Sequence, residues 1–246
     1  MAFIPIYDDT PRRYLAVVTY ALILACVLVF LWQVSLGPRG EHNADLAYGM
    51  IPAVLFGEAE LPARLHVVPP WVTLVTSMFL HGSLMHLLGN MLYLWIFGRG
   101  VEDGLGAPRF LLLYLVAGVV AALTQAMTDP SAEVPMIGAS GAIAGVLGAY
   151  FVLYPRGNVA VFVWFFIFIR VIMVPALLML GLWFLGQLLS ALSAEPGEPG
   201  VAFWAHIGGF ICGMLLAPFL RRPGVAMLQP RRSVYFETRR SRGPWG

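Results

Sequence analysis

The sequence contains no lysine, so all 15 of its basic residues are arginines. Charged residues make up only 11% of the 246 residues, whereas soluble domains carry roughly 25%. This shortage of charge excludes an ordinary soluble domain. Hydrophobic residues reach 59% and the mean hydropathy is +0.80. The composition therefore predicts a polytopic protein whose surroundings are the lipid bilayer, with no nucleic-acid partner.

Cysteine is also scarce. The two cysteines, Cys26 and Cys212, lie far apart in sequence and inside apolar segments, which is typical of small buried side chains. The chain has no HExxH motif and no carboxylate inside an apolar segment that could complete a ligand set. We therefore expect no disulfide, no metal and no cofactor.

Long apolar runs divide the chain into a short lead (1–14), a membrane domain (15–220) and an arginine-rich tail (221–246). We expect the tail to be poorly ordered and to contact anionic headgroups. The membrane domain is predicted to be an all-α bundle of six transmembrane helices with a long first outer loop, at residues 37–70. The predicted spans are 15–36, 84–97, 110–127, 140–154, 171–192 and 201–220.

Two of these spans have less sharply marked boundaries. We expect Gly98-Arg99-Gly100 to end the second span, and residues 71–80 are a candidate entry to it. Residues 159–169 are rich in Val, Phe and Ile, and we interpret them as an interfacial or strand-like return segment before the fifth span. The alternative is one long tilted helix kinked at Pro175.

The arginines give the topology. Six spans place both termini on one side, which then receives thirteen of the 15 arginines, and the other side receives only Arg39 and Arg64. Because cytoplasmic loops carry an excess of positive charge, we expect a plasma-membrane protein with both termini in the cytoplasm. The start of the fourth span, with Ser140, then faces outward.

Ser140 stands between glycines at the start of a short, strongly apolar segment, in the sequence Gly138-Ala139-Ser140-Gly141. A lone serine on an apolar helix usually bonds to the carbonyl one turn earlier. A hydroxyl at the positive end of a helix inside the bilayer is a less ordinary packing residue. We interpret Ser140 as a nucleophile.

His206 opens the sixth span and lies on the same helix face as Gly209 and Gly213. The fourth span offers a matching face with Gly141 and Gly145, and two small-residue faces let helices approach closely. This packing predicts that His206 comes close to the serine and acts as its general base. The nearest acids, Glu195 and Glu198, lie in a predicted loop at residues 193–200, so we expect a Ser-His dyad.

The second span begins with His81, His86 and Asn90. His86 and Asn90 are four residues apart and share a helix face. Asn90 could simply form an interhelical hydrogen bond, but its amide and the His86 imidazole could also donate to a developing oxyanion.

Taken together and in this order, these motifs resemble the rhomboid family of intramembrane serine proteases, from about Trp71 to Leu220. The resemblance implies that Ser140 is the nucleophile and His206 the base, with Asn90, His86 and the Ser140 amide as oxyanion donors. It makes His81 a structural or water-retaining residue. Glu102, in the glycine-rich segment 98–106, becomes a structural anchor.

The resemblance also implies cleavage of single-pass transmembrane proteins near their outer membrane boundary. Two residues depart from the family pattern: Val72 follows Trp71 where many members have arginine, and Ala144 replaces an aromatic residue that stacks on the catalytic histidine. The alternative function is a non-proteolytic binding or chaperone module on the same fold. A small transporter with a histidine proton path is disfavoured, because the chain has no evident inverted repeat.

Overall fold

A computed structural model of the protein describes residues 2–10, 12–165, 167–193 and 201–229. The predicted loop at 193–200 therefore lies outside the described residues from position 194 onward, with Glu195 and Glu198. The predicted tail lies outside them from position 230 onward, with five of its seven arginines.

Helices dominate the described residues, as predicted. The α-helices are α1 (Val17–Ser35), α2 (Gly37–Tyr48), α3 (Pro52–Leu55), α4 (Thr73–Thr76), α5 (Leu84–Tyr93), α6 (Arg99–Leu105), α7 (Ala107–Thr128), α8 (Ser140–Leu153), α9 (Ala176–Ser193) and α10 (Phe203–Leu220). A π-helical turn, Leu94–Gly98, joins α5 to α6.

Four helices of the described chain, α1, α7, α9 and α10, are long and apolar enough to cross a membrane. A bent pair of segments, Ala63–Phe79 and Leu84–Leu105, supplies a fifth candidate span. The apolar helix α8 has only 14 residues, which corresponds to about 21 Å. The predicted count of six spans stays a prediction.

The core is built around α8, whose side chains are almost all buried. Its alanines and glycines let α7 and α10 pack against it at very short range. A β-carbon on Gly141 would lie 2.6 Å from the Ala121 side chain, and a β-carbon on Gly209 would overlap the carbonyl oxygen of Gly141. Close backbone approach of this kind requires residues without side chains.

The second span is longer than the sequence predicts. Gly98-Arg99-Gly100 does not end it, because the helix continues through the π turn into α6 and ends at Gly106, whose φ is +88°. The two inner glycines are packing positions instead: a β-carbon on Gly98 would lie 3.1 Å from the Thr19 side chain, and one on Gly100 would lie 2.9 Å from the Thr10 hydroxyl.

A three-stranded antiparallel sheet accompanies the helices, in the order β1 (Ala2–Asp8), β2 (Asn158–Phe165) and β3 (Phe168–Pro175). The strand-like interpretation of 159–169 agrees with β2. The alternative of one kinked helix is wrong, and the fifth helix begins at Ala176 instead of residue 171. β-Branched and aromatic residues predominate in β2 and β3, and Pro175 fits the end of a strand better than a helix interior.

The N-terminal lead is not merely a polar segment, since β1 pairs with β2 in the register Phe3↔Val163. Buried Asp8 accepts a hydrogen bond from Tyr150 at 3.1 Å and also pairs with Thr10 and Arg12. At the same end of the bundle, the Arg222 amide donates to the Gly104 carbonyl at 2.9 Å. The N-terminal strand, the α8 C-terminus and the end of α10 thus lie together, opposite Ser140.

The segment between α1 and α5 is folded against the serine end. The side-chain amide of Gln33, on α1, donates through Nε2 to Asp45 of α2 at 2.9 Å and accepts the His81 backbone amide through Oε1 at 3.0 Å. The Met50 and Met136 backbones exchange hydrogen bonds of 3.1 and 2.8 Å. The long first loop therefore supports the segment that leads into Ser140.

Candidate active site

Ser140 is the first residue of α8, and the backbone before it is held in an unusual conformation. Gly138 has φ +123° and donates its amide to the Ser77 carbonyl at 2.8 Å. A β-carbon on this residue would lie 2.8 Å from Nε2 of His86. Because only glycine tolerates both the dihedral and the contact, Gly138 sets the geometry of the turn before the serine.

His206 lies in the first turn and a half of α10, and its imidazole meets the serine. Ser140 Oγ is 2.8 Å from His206 Nε2. The approach of the two residues follows from the contact between α8 and α10, in which β-carbons on Gly209 and Gly213 would overlap the carbonyl oxygens of Gly141 and Gly145. The hydroxyl can donate to the imidazole, which is the arrangement of a nucleophile and its base.

The other imidazole nitrogen also has a partner, which sequence reasoning missed. His206 Nδ1 lies 2.6 Å from Oε1 of Gln187 on α9. A search restricted to acids could not find this residue, because Gln187 is neutral. Its signal in the sequence was a lone amide in an otherwise apolar span.

His86 and Asn90 line the same space from α5. The Asn90 side chain is 8% exposed, and its Nδ2 has no hydrogen-bond partner among the described residues. Burying an amide without a hydrogen-bond partner costs free energy. The unpaired Nδ2 of Asn90 is therefore a donor available for a ligand bound beside Ser140. His86 lies against Gly138, as described above.

His81 packs behind His86, with 5.2 Å between the ring centroids. Its Nδ1 is 3.2 Å from the Phe79 carbonyl oxygen, and its Nε2 has no partner within the part of the chain that the structure describes. The histidine therefore buttresses the imidazole of His86 and does not contact Ser140 through a hydrogen bond in the described chain.

Position 144 is alanine here, so α8 does not supply an aromatic ring at that position to stack on the His206 imidazole. The ring of Trp183, on α9, lies beside that imidazole with 6.0 Å between centroids and 36° between planes. An aromatic neighbour thus reaches His206 from α9, although α8 has alanine at position 144.

These groups open into one cavity of about 590 Å³. Its walls come from α5, α7, α8, α9 and α10. They include His86, Asn90, Ser140, Trp183 and His206. This volume lies within the usual range of ligand-binding cavities. The lining of the cavity is mostly apolar with a few polar groups, as is typical of ligand-binding cavities.

Glu102 lies at the other end of the bundle. Its carboxylate accepts the Val18 amide at 2.9 Å and both the amide and the hydroxyl of Thr19 at 2.7 Å. It therefore takes the place of a capping side chain for α1, whose own N-cap residue is Ala16. In the described chain, no group of three or more His, Cys, Asp or Glu side chains is placed to hold a metal ion.

Comparisons with known proteins identify the family to which the chain belongs. The family model described as the Rhomboid domain matches residues 69–223. That range is more than half of the chain and contains all the site residues above. The protein belongs to the rhomboid family, which supports an intramembrane protease function, and its apolar helices make it a multi-pass membrane protein.

Curated relatives include two proteins of Bacillus subtilis (strain 168). The chain is 34% identical to "Rhomboid protease GluP" over 131 residues, covering 53% of this chain and 23% of the relative. It is 37% identical to "Putative rhomboid protease YdcA" over 138 residues, covering 56% and 62%. It is also 31% identical to "Rhomboid protein 1, mitochondrial" of Saccharomyces cerevisiae, covering 50% and 40%. The chain spans less than two thirds of each of these relatives.

Proposed function

We propose that the protein is an intramembrane serine endopeptidase that cleaves single-pass transmembrane proteins near their outer membrane boundary. The observation that carries this proposal is the 2.8 Å separation of Ser140 Oγ and His206 Nε2 at the wall of a 590 Å³ cavity. A serine activated by a neighbouring imidazole is the nucleophile–base pair that acyl transfer requires.

The first half of the reaction forms an acyl-enzyme. The outer end of a substrate helix unwinds, and its scissile carbonyl carbon enters the cavity beside Ser140. His206 Nε2 takes the hydroxyl proton while Oγ attacks that carbon. When the tetrahedral intermediate collapses, the C–N bond breaks and His206 gives the proton to the leaving amine.

The intermediate carries a negative oxygen that needs donors. We assign this role to the unpaired Asn90 amide, the His86 imidazole and the Ser140 backbone N–H, because all three residues line the cavity. The amide of Ser140 is available because the first N–H groups of a helix have no intrahelical acceptor.

The second half of the reaction releases the acyl group. A water molecule gives a proton to His206 Nε2 and attacks the ester carbonyl, and the proton then returns to Ser140 Oγ as the acid leaves. Water, the side chains of this protein and the Ser140 backbone amide supply the nucleophiles, the proton transfers and the oxyanion donors of this scheme. We therefore expect neither a metal nor a cofactor.

We further propose a plasma-membrane location with both termini in the cytoplasm. The arginine distribution supports this orientation, because the first strand, the α8 C-terminus and the end of α10 lie at one end of the bundle with Arg12, Arg99, Arg156 and Arg222. Ser140 then lies near the outer surface, which matches cleavage at the outer boundary of a substrate helix.

The test is cleavage of a model single-pass substrate in liposomes by wild type, Ser140→Ala and His206→Ala at equal folded amounts. We expect cleavage by wild type and none by either variant. A wild type that binds several substrates without cutting them would instead support a non-proteolytic binding module.

A further inference from the structure

One face of α9 brings two side chains to the imidazole of His206. Gln187 Oε1 is 2.6 Å from Nδ1, and the Trp183 ring lies beside the imidazole at a centroid distance of 6.0 Å. The two residues are four apart and therefore lie on the same side of the helix. α9 thus contributes one hydrogen bond and one aromatic wall to a histidine of another helix.

We propose that Gln187 is a positioning residue that fixes the tautomer and orientation of His206. This inference rests on the proposed function, since it assigns a role within the same nucleophile–base pair. It extends the pair to a chain of three side chains, Gln187–His206–Ser140, in which a neutral amide stands where a carboxylate would complete a triad.

The chemistry follows from the two imidazole nitrogens. Oε1 of Gln187 is an acceptor, so the Nδ1 that faces it carries the proton and donates. Nε2 then has a free lone pair that accepts the hydroxyl proton of Ser140. In the other tautomer, Nε2–H would point at Oγ and could not act as a base. The amide therefore selects the productive form of the imidazole.

The use of an amide agrees with the site's position in the membrane domain. A carboxylate beside His206 would stabilise the imidazolium that forms during the reaction, but its own burial in a largely apolar cavity would be costly. An amide fixes the tautomer without that cost. We therefore expect a smaller loss on removing Gln187 than on removing the acid of a triad.

Other polar groups near His206 are occupied elsewhere. Oε1 of Gln125 accepts the Ala205 amide at 3.2 Å, and the Thr124 hydroxyl donates to the Val120 carbonyl at 2.8 Å. Within the described chain, the hydrogen-bond partner of Nδ1 is Gln187 Oε1 and not either of these groups. The role is therefore specific to Gln187.

The first comparison is Gln187→Met, which keeps the length of the side chain and removes the acceptor. We expect kcat to fall about tenfold, the equivalent of one neutral hydrogen bond, with KM unchanged. The melting temperature should fall slightly, because the buried Nδ1–H of His206 loses its acceptor, so rates are compared at equal folded amounts. Ser193→Ala is the matched control on α9, because its hydroxyl donates only to Leu189 of its own helix, and it should match wild type.

The second comparison is Gln187→Glu, which keeps an acceptor at Nδ1 and adds a negative charge. Near His206, the side chains of Ser140 on α8 and Gln125 on α7 do not titrate near neutral pH. Among the described residues, His86 on α5 is the titratable neighbour that interacts electrostatically with His206. The introduced carboxylate would favour the protonated imidazole. We expect activity to be retained at alkaline pH and the acid limb of the pH profile to move to higher pH.

The outcomes separate this inference from the proposed function. A wild type that cleaves, beside a Gln187→Met variant with the same kcat or with a loss confined to KM or folded amount, would overturn the inference alone. A Gln187→Glu variant with the wild-type pH profile would also overturn it. A wild type that cleaves nothing would overturn the proposed function and this inference with it. Nitrogen-15 spectra of the imidazole provide the direct check, because they report whether Nδ1 or Nε2 carries the proton.

Discussion

A β-carbon added to Gly213 would overlap the carbonyl oxygen of Gly145, so α8 and α10 touch through their backbones. This contact lies five residues after Ser140 on α8 and seven residues after His206 on α10, which is between one and two helical turns. Because the two backbones are in direct contact, the packing of α8 against α10 places the hydroxyl and the imidazole 2.8 Å apart.

Gly213→Ala is therefore expected to push α10 away from α8. Overpacking of this kind costs about 1–3 kcal/mol, and a shift of about 1 Å at the site can lower activity by about 10²-fold. Thermal unfolding in detergent and cleavage rates check both effects. Gly186→Ala on α9 is the control, since nothing lies within 4 Å of its added β-carbon. Equal melting temperatures for the two variants would contradict the prediction.

Gly138→Ala tests the turn before Ser140. The added methyl group meets His86 Nε2 at 2.8 Å, and φ +123° is unfavourable for alanine. We expect the oxyanion donors to be displaced and kcat to fall by about 10²-fold or more. Gly57→Ala separates the two causes, because Gly57 also has a positive φ (+78°) but an open surrounding. This control should lose some stability and keep its activity, and an equal loss of kcat in both variants would refute the assignment.

The packing of α8 against α10 could be predicted from the sequence because it depends on the spacing of glycines within each helix. Gly141 and Gly145 on one segment, and Gly209 and Gly213 on the other, form small faces of helical period. When these two faces pack, Ser140 and His206 lie at the same end of the contact and meet.

The sheet could not be predicted in the same way. β1 lies in a seven-residue segment with no partner nearby in sequence, and its pairing with β2 spans more than 150 positions.

The contact of Gln187 with His206 could not be predicted from the sequence either. Since β3 extends to Pro175, α9 begins five residues later than the apolar run suggests. Which face of α9 meets His206 depends on that starting point and on packing.

Gly98 and Gly100 illustrate a further limit. Two glycines in three residues usually indicate a helix end, yet here the helix passes through them. Their missing side chains leave room for Thr19 and Thr10. The sequence signal for a turn and the signal for close packing are identical, and only the neighbours distinguish them.

Glu102→Ala tests the long-range cap of α1. The variant removes the acceptor of the Val18 amide and of two Thr19 groups, which leaves buried donors unpaired. Loss of a cap costs about 0.5–2 kcal/mol, and we expect the upper end here because the carboxylate is 3% exposed. The control is Asp103→Ala, whose carboxylate accepts the Arg13 and Tyr14 amides in an exposed position. The melting temperature should fall further for Glu102→Ala, and the reverse order would contradict the capping role.

Asn90→Ala separates the oxyanion role from interhelical packing. If Asn90 formed a structural hydrogen bond, its removal would lower the melting temperature. Its Nδ2 instead has no partner within the described residues, so the folded state loses no hydrogen bond there in the variant. We expect kcat to fall by about 10²–10³-fold, the usual effect of losing one oxyanion donor, with little change in KM or in melting temperature.

Asn158→Ala serves as a contrasting variant, because the Asn158 side-chain amide donates to Asp9 at 2.7 Å near the start of β2. It should lower stability and leave kcat unchanged. An Asn90→Ala enzyme with full turnover would remove Asn90 from the proposed mechanism and leave His86 and the Ser140 amide as its donors.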